Sequence, residues 1–439
     1  MNIKEIYNNK LITVEEGLNK IKSNYNVISA LAAAEPRELL SKLHTISDRV
    51  ENVNVVTCLP MGAYEYFTDP QNKDSFLMEG WFYSPAIRKT HKNKNVSFIP
   101  NHLHLAATKR LDHRKTNVFV GTASCMDKHG YISLSLSATY EREVIDDADI
   151  VILEVNPNMP RTFGDTIIHI SEVDHVIETD YSIPEFPVTE PSEKDKIIGK
   201  YIAELVEDGS TIQLGIGGIP NAVAAELMSK KDLGIHTEMF TDGMVDLYEA
   251  GVITSKKKTL MPGKMVATFA LGTKKLYDFI DNNPAVNIMN GKWVNDPYVI
   301  GQNYKMISIN TTLQIDLTGQ CCSESIGHKQ FSGTGGQADT AIGAQNSQGG
   351  KSIIALYSTA KIRVPGSEER KVVSKIVPRL DHGAIVSLSR NDVDYVVTEY
   401  GVAELRGTSV RDRVERLINI AHPDFREQLK KNAEELMIW

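Results

Sequence analysis

No apolar run in this chain approaches the length needed to span a bilayer, and the opening MNIKEIYNNK lacks the apolar core of a signal peptide. Both absences lead us to expect a cytoplasmic protein that does not insert in a membrane. Positive charge is scarce as well: the formal net charge is -8, whereas a general nucleic-acid binder would carry a basic footprint. An anionic small molecule stays compatible with that balance, because a few local donors suffice to hold it. Cysteine is sparse too. Cys58 and Cys125 stand alone and Cys321 and Cys322 are adjacent, so neither a disulfide framework nor a CxxC metal pair is spelled out. His102 and His104 would share one face of a strand, but no third ligand stands near them, so no metal is expected.

What is present is the texture of an α/β protein. With 439 residues, 41% of them hydrophobic and 24% charged, the chain can bury a large core in two or three domains. Apolar runs at Asn26–Ala34, Val53–Leu59, Val96–Ile99, Val118–Val120, Tyr131–Leu136 and Ile150–Val155 alternate with helical windows at Thr13–Ile21 and Glu38–Leu43. That alternation is the mark of a largely parallel sheet. The segment GWFYSP at Gly80–Pro85 reads as an aromatic loop. Between Asp180 and Asp195 the stretch YSIPEFPVTEPSEKD has three prolines and no helical period, so it reads as a linker. The expected domains are therefore residues 1–185 and 195–439. After the linker the pattern restarts: helix, turn, strand, then an Xaa-Pro step at Pro220 as earlier at Pro36. Asp127-Lys-His-Gly130 before one apolar run is echoed by Asp316-Leu-Thr-Gly319 before another, which suggests a divergent duplication.

The stretch QLGIGGIPNAVAAELMSKKDLGIHTEMFTDG, from Gln213 to Gly243, holds the strongest local signal. It reads as a buried strand, a turn rich in glycine (Gly215, Gly217, Gly218), and a helix opening at Pro220. Glycines ahead of a helix N-terminus let backbone N–H groups approach an anion or a developing oxyanion. The next apolar run, Ile235–Phe240, carries Glu238 and ends at Asp242-Gly243. An ordinary strand-turn-helix connection with a surface glutamate would show the same pattern. A second glycine cluster, FSGTGGQAD with Gly333, Gly335 and Gly336, could present N–H groups of its own or be a plain surface loop. Neither cluster reads as a dinucleotide fold. In the first, Pro220 occupies the last glycine position of G-x-G-x-x-G. In the second, no buried strand precedes it and no acidic residue follows at the spacing a ribose needs.

Six blocks carry a resemblance: QLGIGGIPNAV, LGIHTEMFTDGMVDLYEAGV, QFSGTGGQAD, SKIVPRLDHGA, SRNDVDYVVTEYGVAELRG and LINIAHPDFREQL. In this order, and over nearly the whole chain, they resemble the acetyl-CoA hydrolase/transferase family. The branch they are most similar to moves CoA to acetate, butyrate or 4-hydroxybutyrate. The resemblance implies two tandem open α/β domains of the CoA-transferase (NagB/RpiA-like) type, a homo-oligomer (dimer or higher), and no tightly bound cofactor. Acyl-CoA and a short-chain carboxylate would be the substrates. It implies that Glu238, in HTEMFTDG, is the nucleophile. Gly215, Ile216, Gly217, Gly218 and Ile219 would form the CoA-contacting loop, with further contacts at Leu313 and Gly336. A free glutamate titrates near 4.3, so such a nucleophile is charged at neutral pH and needs no general base. That accounts for the lack of a Ser/His/Asp or Cys/His set. On chemistry alone Glu399, at a similar strand-to-glycine junction, is a rival nucleophile. His382 reads as a turn residue, and the SRND block at Ser389–Asp392 has no role the sequence assigns. A hydrolase using water at the same site, and a ligand-binding protein without catalysis, are the other readings of the same residues.

Overall fold

β-Branched residues fill the run VNVVTC at Val53–Cys58, and the structure, a computed structural model describing residues 2–363 and 367–438, forms a strand there. It lies in a seven-stranded sheet whose order is His175–Glu178, Ile150–Val155, Val118–Ala123, Asn26–Ser29, Val53–Cys58, Phe76–Phe82 and Val96–Phe98. All neighbours pair in parallel. Parallel strands covered on both faces read as near-continuous apolar runs. Accordingly Val27, Val53, Val55, Val118 and Ile152 pack in one core with Leu39, Leu40, Phe67 and Phe76.

A second open sheet follows the linker, in the order Gly234–Ile235, Thr211–Leu214, Met306–Thr311, Lys351–Ala355, Tyr395–Thr398 and Gly401–Glu404. Its pairs are parallel except the last, an antiparallel edge. The chain is thus α/β with open, mostly parallel sheets. Among the described residues no helix is long and apolar enough to cross a membrane.

The chain divides into two compact units that are not simply consecutive. Unit one holds Met1–Pro187, Thr237–Asp242 and Lys264–Asn295; unit two holds Val188–His236, Gly243–Gly263 and Asp296–Trp439. The expected domains, 1–185 and 195–439, differ from this grouping in two segments. One of them carries Glu238, which groups with unit one. The apolar run Ile235–Phe240 is divided between two strands. Gly234–Ile235 joins the second sheet, while Met239–Phe240 pairs with Phe269–Ala270 in unit one. The crossing is sharp: His236 donates its N–H to Ile212 O at 3.2 Å, and Thr237 donates to Val266 O at 3.0 Å.

Other expectations shift for local reasons. The strand expected over Asn26–Ala34 stops at Ser29, because the Leu31 N–H goes to the Glu141 carboxylate at 3.0 Å rather than to a ladder partner. A 3-10 turn, Ala32–Ala34, takes its place. The aromatic loop is partly strand: Gly80, Trp81 and Phe82 complete Phe76–Phe82, where rings suit a half-buried pleat. His102 and His104 lie at a 3-10 turn, Leu103–Leu105, not on a strand, and their rings stack with centroids 6.2 Å apart. The strand Met306–Thr311 keeps its ladder with Lys351–Ala355 as far as Thr312, whose N–H donates to Ala355 O at 3.2 Å. The residues beyond it, Gln314–Asp316, join a separate small sheet.

Candidate active site

In unit two, Thr211–Leu214 has its sequence successor Gly234–Ile235 on one side and Met306–Thr311 on the other. Strand order therefore reverses beside it, and open α/β sheets bind ligands outside the carboxyl ends of strands at such a point. A cavity of about 320 Å³ opens there, lined by residues at or just beyond the carboxyl ends of three neighbouring strands: Ile216–Pro220, Thr311–Leu313 and Ala355–Tyr357. Ser323, Phe331, Ser332 and Lys375 complete the lining.

Two glycines shape that cavity. Gly217 sits at φ +113°, a region L side chains rarely adopt. The helix expected to open at Pro220 begins at Gly218 and runs to Glu226. Proline is tolerated in its first turn because the N–H groups there have no partner within the helix. A Cβ on Gly218 would lie 2.7 Å from Asp195 Oδ2. Asp195 is buried and caps the helix Glu193–Leu205 from its own first turn. It accepts from Ser192 N–H at 2.8 Å, from Ser192 Oγ at 2.6 Å, and from the Tyr357 hydroxyl at 2.6 Å.

Of the expected CoA-loop residues, Ile216, Gly217, Gly218, Ile219 and Leu313 line this cavity together, and Gly215 immediately precedes them. Gly336 does not line it. It caps the helix Gln337–Asn346, whose first residue donates from Nε2 to Thr311 O at 3.0 Å. The pattern of residues missed Tyr357, Asp195 and Lys375. Lys375 lies within one of the six resembling blocks, but nothing in its neighbours marks it as facing a cavity.

Glu399 is tied down. Its carboxylate accepts from Lys194 Nζ at 2.7 Å and from the N–H and Oγ of Ser358 at 2.9 and 2.8 Å. Burial alone would push its pKa up, but the lysine and the serine donors hold it below the usual range. A carboxylate so engaged is a poor attacking group. His382 is exposed in a turn closed by Ala384 N–H to Asp381 O at 2.9 Å.

In unit one, Glu238 is half-buried at the entrance to the Met239–Phe240 strand. Its carbonyl accepts from Thr268 N–H at 2.9 Å and from Phe269 N–H at 3.1 Å, which fixes the backbone. Asn295 Nδ2 donates to its Oε2 at 3.1 Å. Asn295 is fully buried at the C-cap of the short helix Gly291–Val294, and its Oδ1 finds no partner among the described residues. At a separation of 57 positions, sequence pattern gives no hint of this pair.

Cys58, Glu141 and Glu35 are titratable groups of the same unit that are buried. Cys58 closes the strand Val53–Cys58; burial pushes its thiol pKa up, and the charges of Glu238 and Glu141 push it further. The raised value keeps it a neutral thiol, unsuited to attack. Glu141 itself is raised by burial, while the Leu31 N–H, the Ser137 side chain and the Tyr140 N–H pull it back. Glu35 is also buried, accepting from Tyr64 Oη at 2.6 Å and from the N–H groups of Gly62 and Met61 at 2.9 and 3.1 Å.

Comparison with known proteins finds relatives along the whole chain. The acetyl-CoA hydrolase/transferase N-terminal domain matches residues 1–188 and its C-terminal domain matches 272–433. A 4-hydroxybutyrate coenzyme A transferase of Clostridium kluyveri is 45% identical over 98% of this chain and 98% of its own. A butyryl-CoA:acetate CoA-transferase of Anaerostipes caccae is 37% identical over 100% of this chain and 99% of its own. The crystal structure of RipA from Yersinia pestis superposes with a TM-score of 0.90 at 36% identity, covering 100% of both chains. With family domains matched at both ends and full-length relatives of this identity, the chain belongs to the acetyl-CoA hydrolase/transferase family.

Proposed function

We propose that this protein is a CoA-transferase that exchanges CoA between an acyl-CoA and a short-chain carboxylate by a ping-pong route through Glu238. Acetate, butyrate and 4-hydroxybutyrate are the acceptors to try first, two of them named in the relatives above. The observation that carries the reading is Glu238 itself. It is a half-buried carboxylate, fixed through its backbone and held at one oxygen by a buried amide, at the position the HTEMFTDG block matches to a nucleophile. The glycine-lined cavity of unit two is the CoA site in this reading.

The chemistry balances without an external base. A Glu238 oxygen attacks the thioester carbonyl, the C–S bond breaks, and CoA leaves as thiolate from a mixed anhydride. The thiolate then attacks the glutamyl carbonyl of that anhydride and expels the donor acid as carboxylate, leaving a γ-glutamyl-CoA thioester. The acceptor carboxylate runs the two steps in reverse. Each step passes through an oxyanion, and loss of one backbone donor to such an oxyanion costs about 3 kcal/mol of barrier.

The test is a covalent adduct. Protein mixed with acyl-CoA and no acceptor should gain the mass of CoA less one water on the peptide holding Glu238. The adduct should vanish when carboxylate is added and be absent from Glu238→Gln, whose transfer rate should fall by several powers of ten. An adduct on Glu399, or a Gln variant with nearly full activity, would overturn the assignment. Repeated turnover of acyl-CoA, beyond one equivalent per site, with no added carboxylate would identify a hydrolase instead.

A further inference from the structure

One side chain in the unit-two cavity is left over by this account. Lys375 is the single charged residue among those lining it. Its backbone is clamped between elements: its N–H donates to Ser358 O at 2.9 Å, and its carbonyl accepts from Ile315 N–H at 3.0 Å. The side chain is mostly withdrawn from solvent. Nζ donates to Thr312 O at 3.3 Å and stands 5.7 Å from the centre of the Tyr357 ring. The Tyr357 hydroxyl is turned away to Asp195. The nearest acid acting on Lys375 is Glu399, whose oxygens are already occupied by Lys194 and Ser358. Among the described residues no carboxylate lies within ion-pair distance of Nζ.

A half-buried cation without a counter-ion is costly, and the cost is relieved when an anion arrives. The same cavity is lined by the N-terminal end of the helix Gly218–Glu226, where free N–H groups and the helix dipole favour negative charge. A lysine and a helix N-terminus lining one cavity suit an anion with several oxygens better than a lone thiolate. We infer that Lys375 anchors the pyrophosphate of CoA in this cavity, an inference that rests on reading the cavity as the CoA site.

The same geometry links binding to a proton. Burial pulls the Lys375 pKa down to about 8, against the attraction of Glu399. The other ionisable groups around it leave this balance unchanged: Tyr357 is held protonated by burial and by Asp195, and Lys194 is paired with Glu399. Above pH 8 the empty site therefore holds a partly neutral lysine, which takes up a proton as the pyrophosphate enters.

Calorimetric titration of the full-length protein with CoA, 3′-dephospho-CoA and pantetheine tests this, using the wild type, Lys375→Met and Lys375→Arg. The Met variant should bind CoA and 3′-dephospho-CoA at least about tenfold more weakly and pantetheine unchanged, with the Arg variant close to wild type. At pH 8.5, in buffers of different ionisation heat, the wild type should take up protons on binding CoA and the Arg variant should not. That second readout stands even if the Met variant fails to fold. Unchanged CoA affinity in a folded Met variant, equal weakening toward pantetheine, or 3′-dephospho-CoA binding that ignores the substitution would each overturn the lysine's role. Absence of CoA binding by the wild type would instead overturn the reading of the cavity itself.

Discussion

Asn295 Nδ2 lies 3.1 Å from Glu238 Oε2, a buried amide holding one oxygen of the carboxylate proposed to attack. The bond orients the carboxylate and leaves the amide's own carbonyl unpaired. Removing it should loosen the nucleophile without unfolding the protein. For Asn295→Ala we expect kcat to fall by about 10- to 100-fold, the range a hydrogen bond to a charged group spans, with KM for acyl-CoA nearly unchanged. Steady-state kinetics check it. A wild-type kcat in a folded variant would remove Asn295 from the mechanism.

Gly217→Val should damage turnover through the backbone. A Cβ there meets nothing within 4 Å, so the obstacle is φ +113°, which valine avoids. The loop must change shape, and KM for acyl-CoA should rise by about tenfold or more. Gly251→Val is the control: its φ is +75°, its Cβ also meets nothing within 4 Å, and it lines no part of the cavity. Both variants should lose melting temperature, by about 1–3 kcal/mol of strain, but only the first should lose turnover. Equal kinetics in the two would detach the loop from the site.

Stability should depend on pH through two buried acids. Burial raises both Glu35 and Glu154 to about 7, against hydrogen bonds that favour their charged forms. A folded pKa above the unfolded one means stability that is full below about pH 4.5 and lost as pH rises through about 7. The melting temperature should therefore fall between pH 5.5 and 8. The Tyr64 hydroxyl, 2.6 Å from Glu35, favours the ionised form, so Tyr64→Phe should cost more at pH 8 than at pH 5.5. About 1–3 kcal/mol is the scale for a buried group left without its partner. Equal losses at the two pH values would show that Glu35 does not titrate in this range.

Gly218→Ala should act on stability through Asp195. The added methyl would stand 2.7 Å from Asp195 Oδ2, forcing the carboxylate off Ser192 and Tyr357. Loss of an N-terminal cap costs about 0.5–2 kcal/mol, so a lower melting temperature is expected and thermal scans measure it. An unchanged melting temperature would mean the carboxylate has room to move.

Much of the fold was legible because it is written in local signals. β-Branched runs placed Val53–Cys58, Ile150–Val155 and Thr211–Leu214, and three prolines marked the segment in which the units part. The glycine loop was legible for the same reason, since its geometry is encoded in consecutive residues. What escaped depends on residues far apart in sequence. Nothing in IHTEMF says that the chain changes sheets between His236 and Thr237, because both halves are equally apolar. Leu31 looks like strand until Glu141, far along the chain, takes its N–H. Asn295 and Lys375 are single polar residues whose importance comes only from what folding brings beside them.

The three-part make-up of unit one bears on how the protein is made. The last residue of its seven-stranded sheet is in place in the chain once Glu178 is synthesised. Phe163–Gly164, however, must wait for Val286–Ile288, and Met239–Phe240 for Phe269–Ala270. Glu238 gains its amide partner only when residue 295 has been added. Domains tend to fold as units during synthesis, N-terminal first, yet here the first domain stays open while most of the second is still being translated. A nascent chain released at Pro187 would carry the sheet and never Glu238.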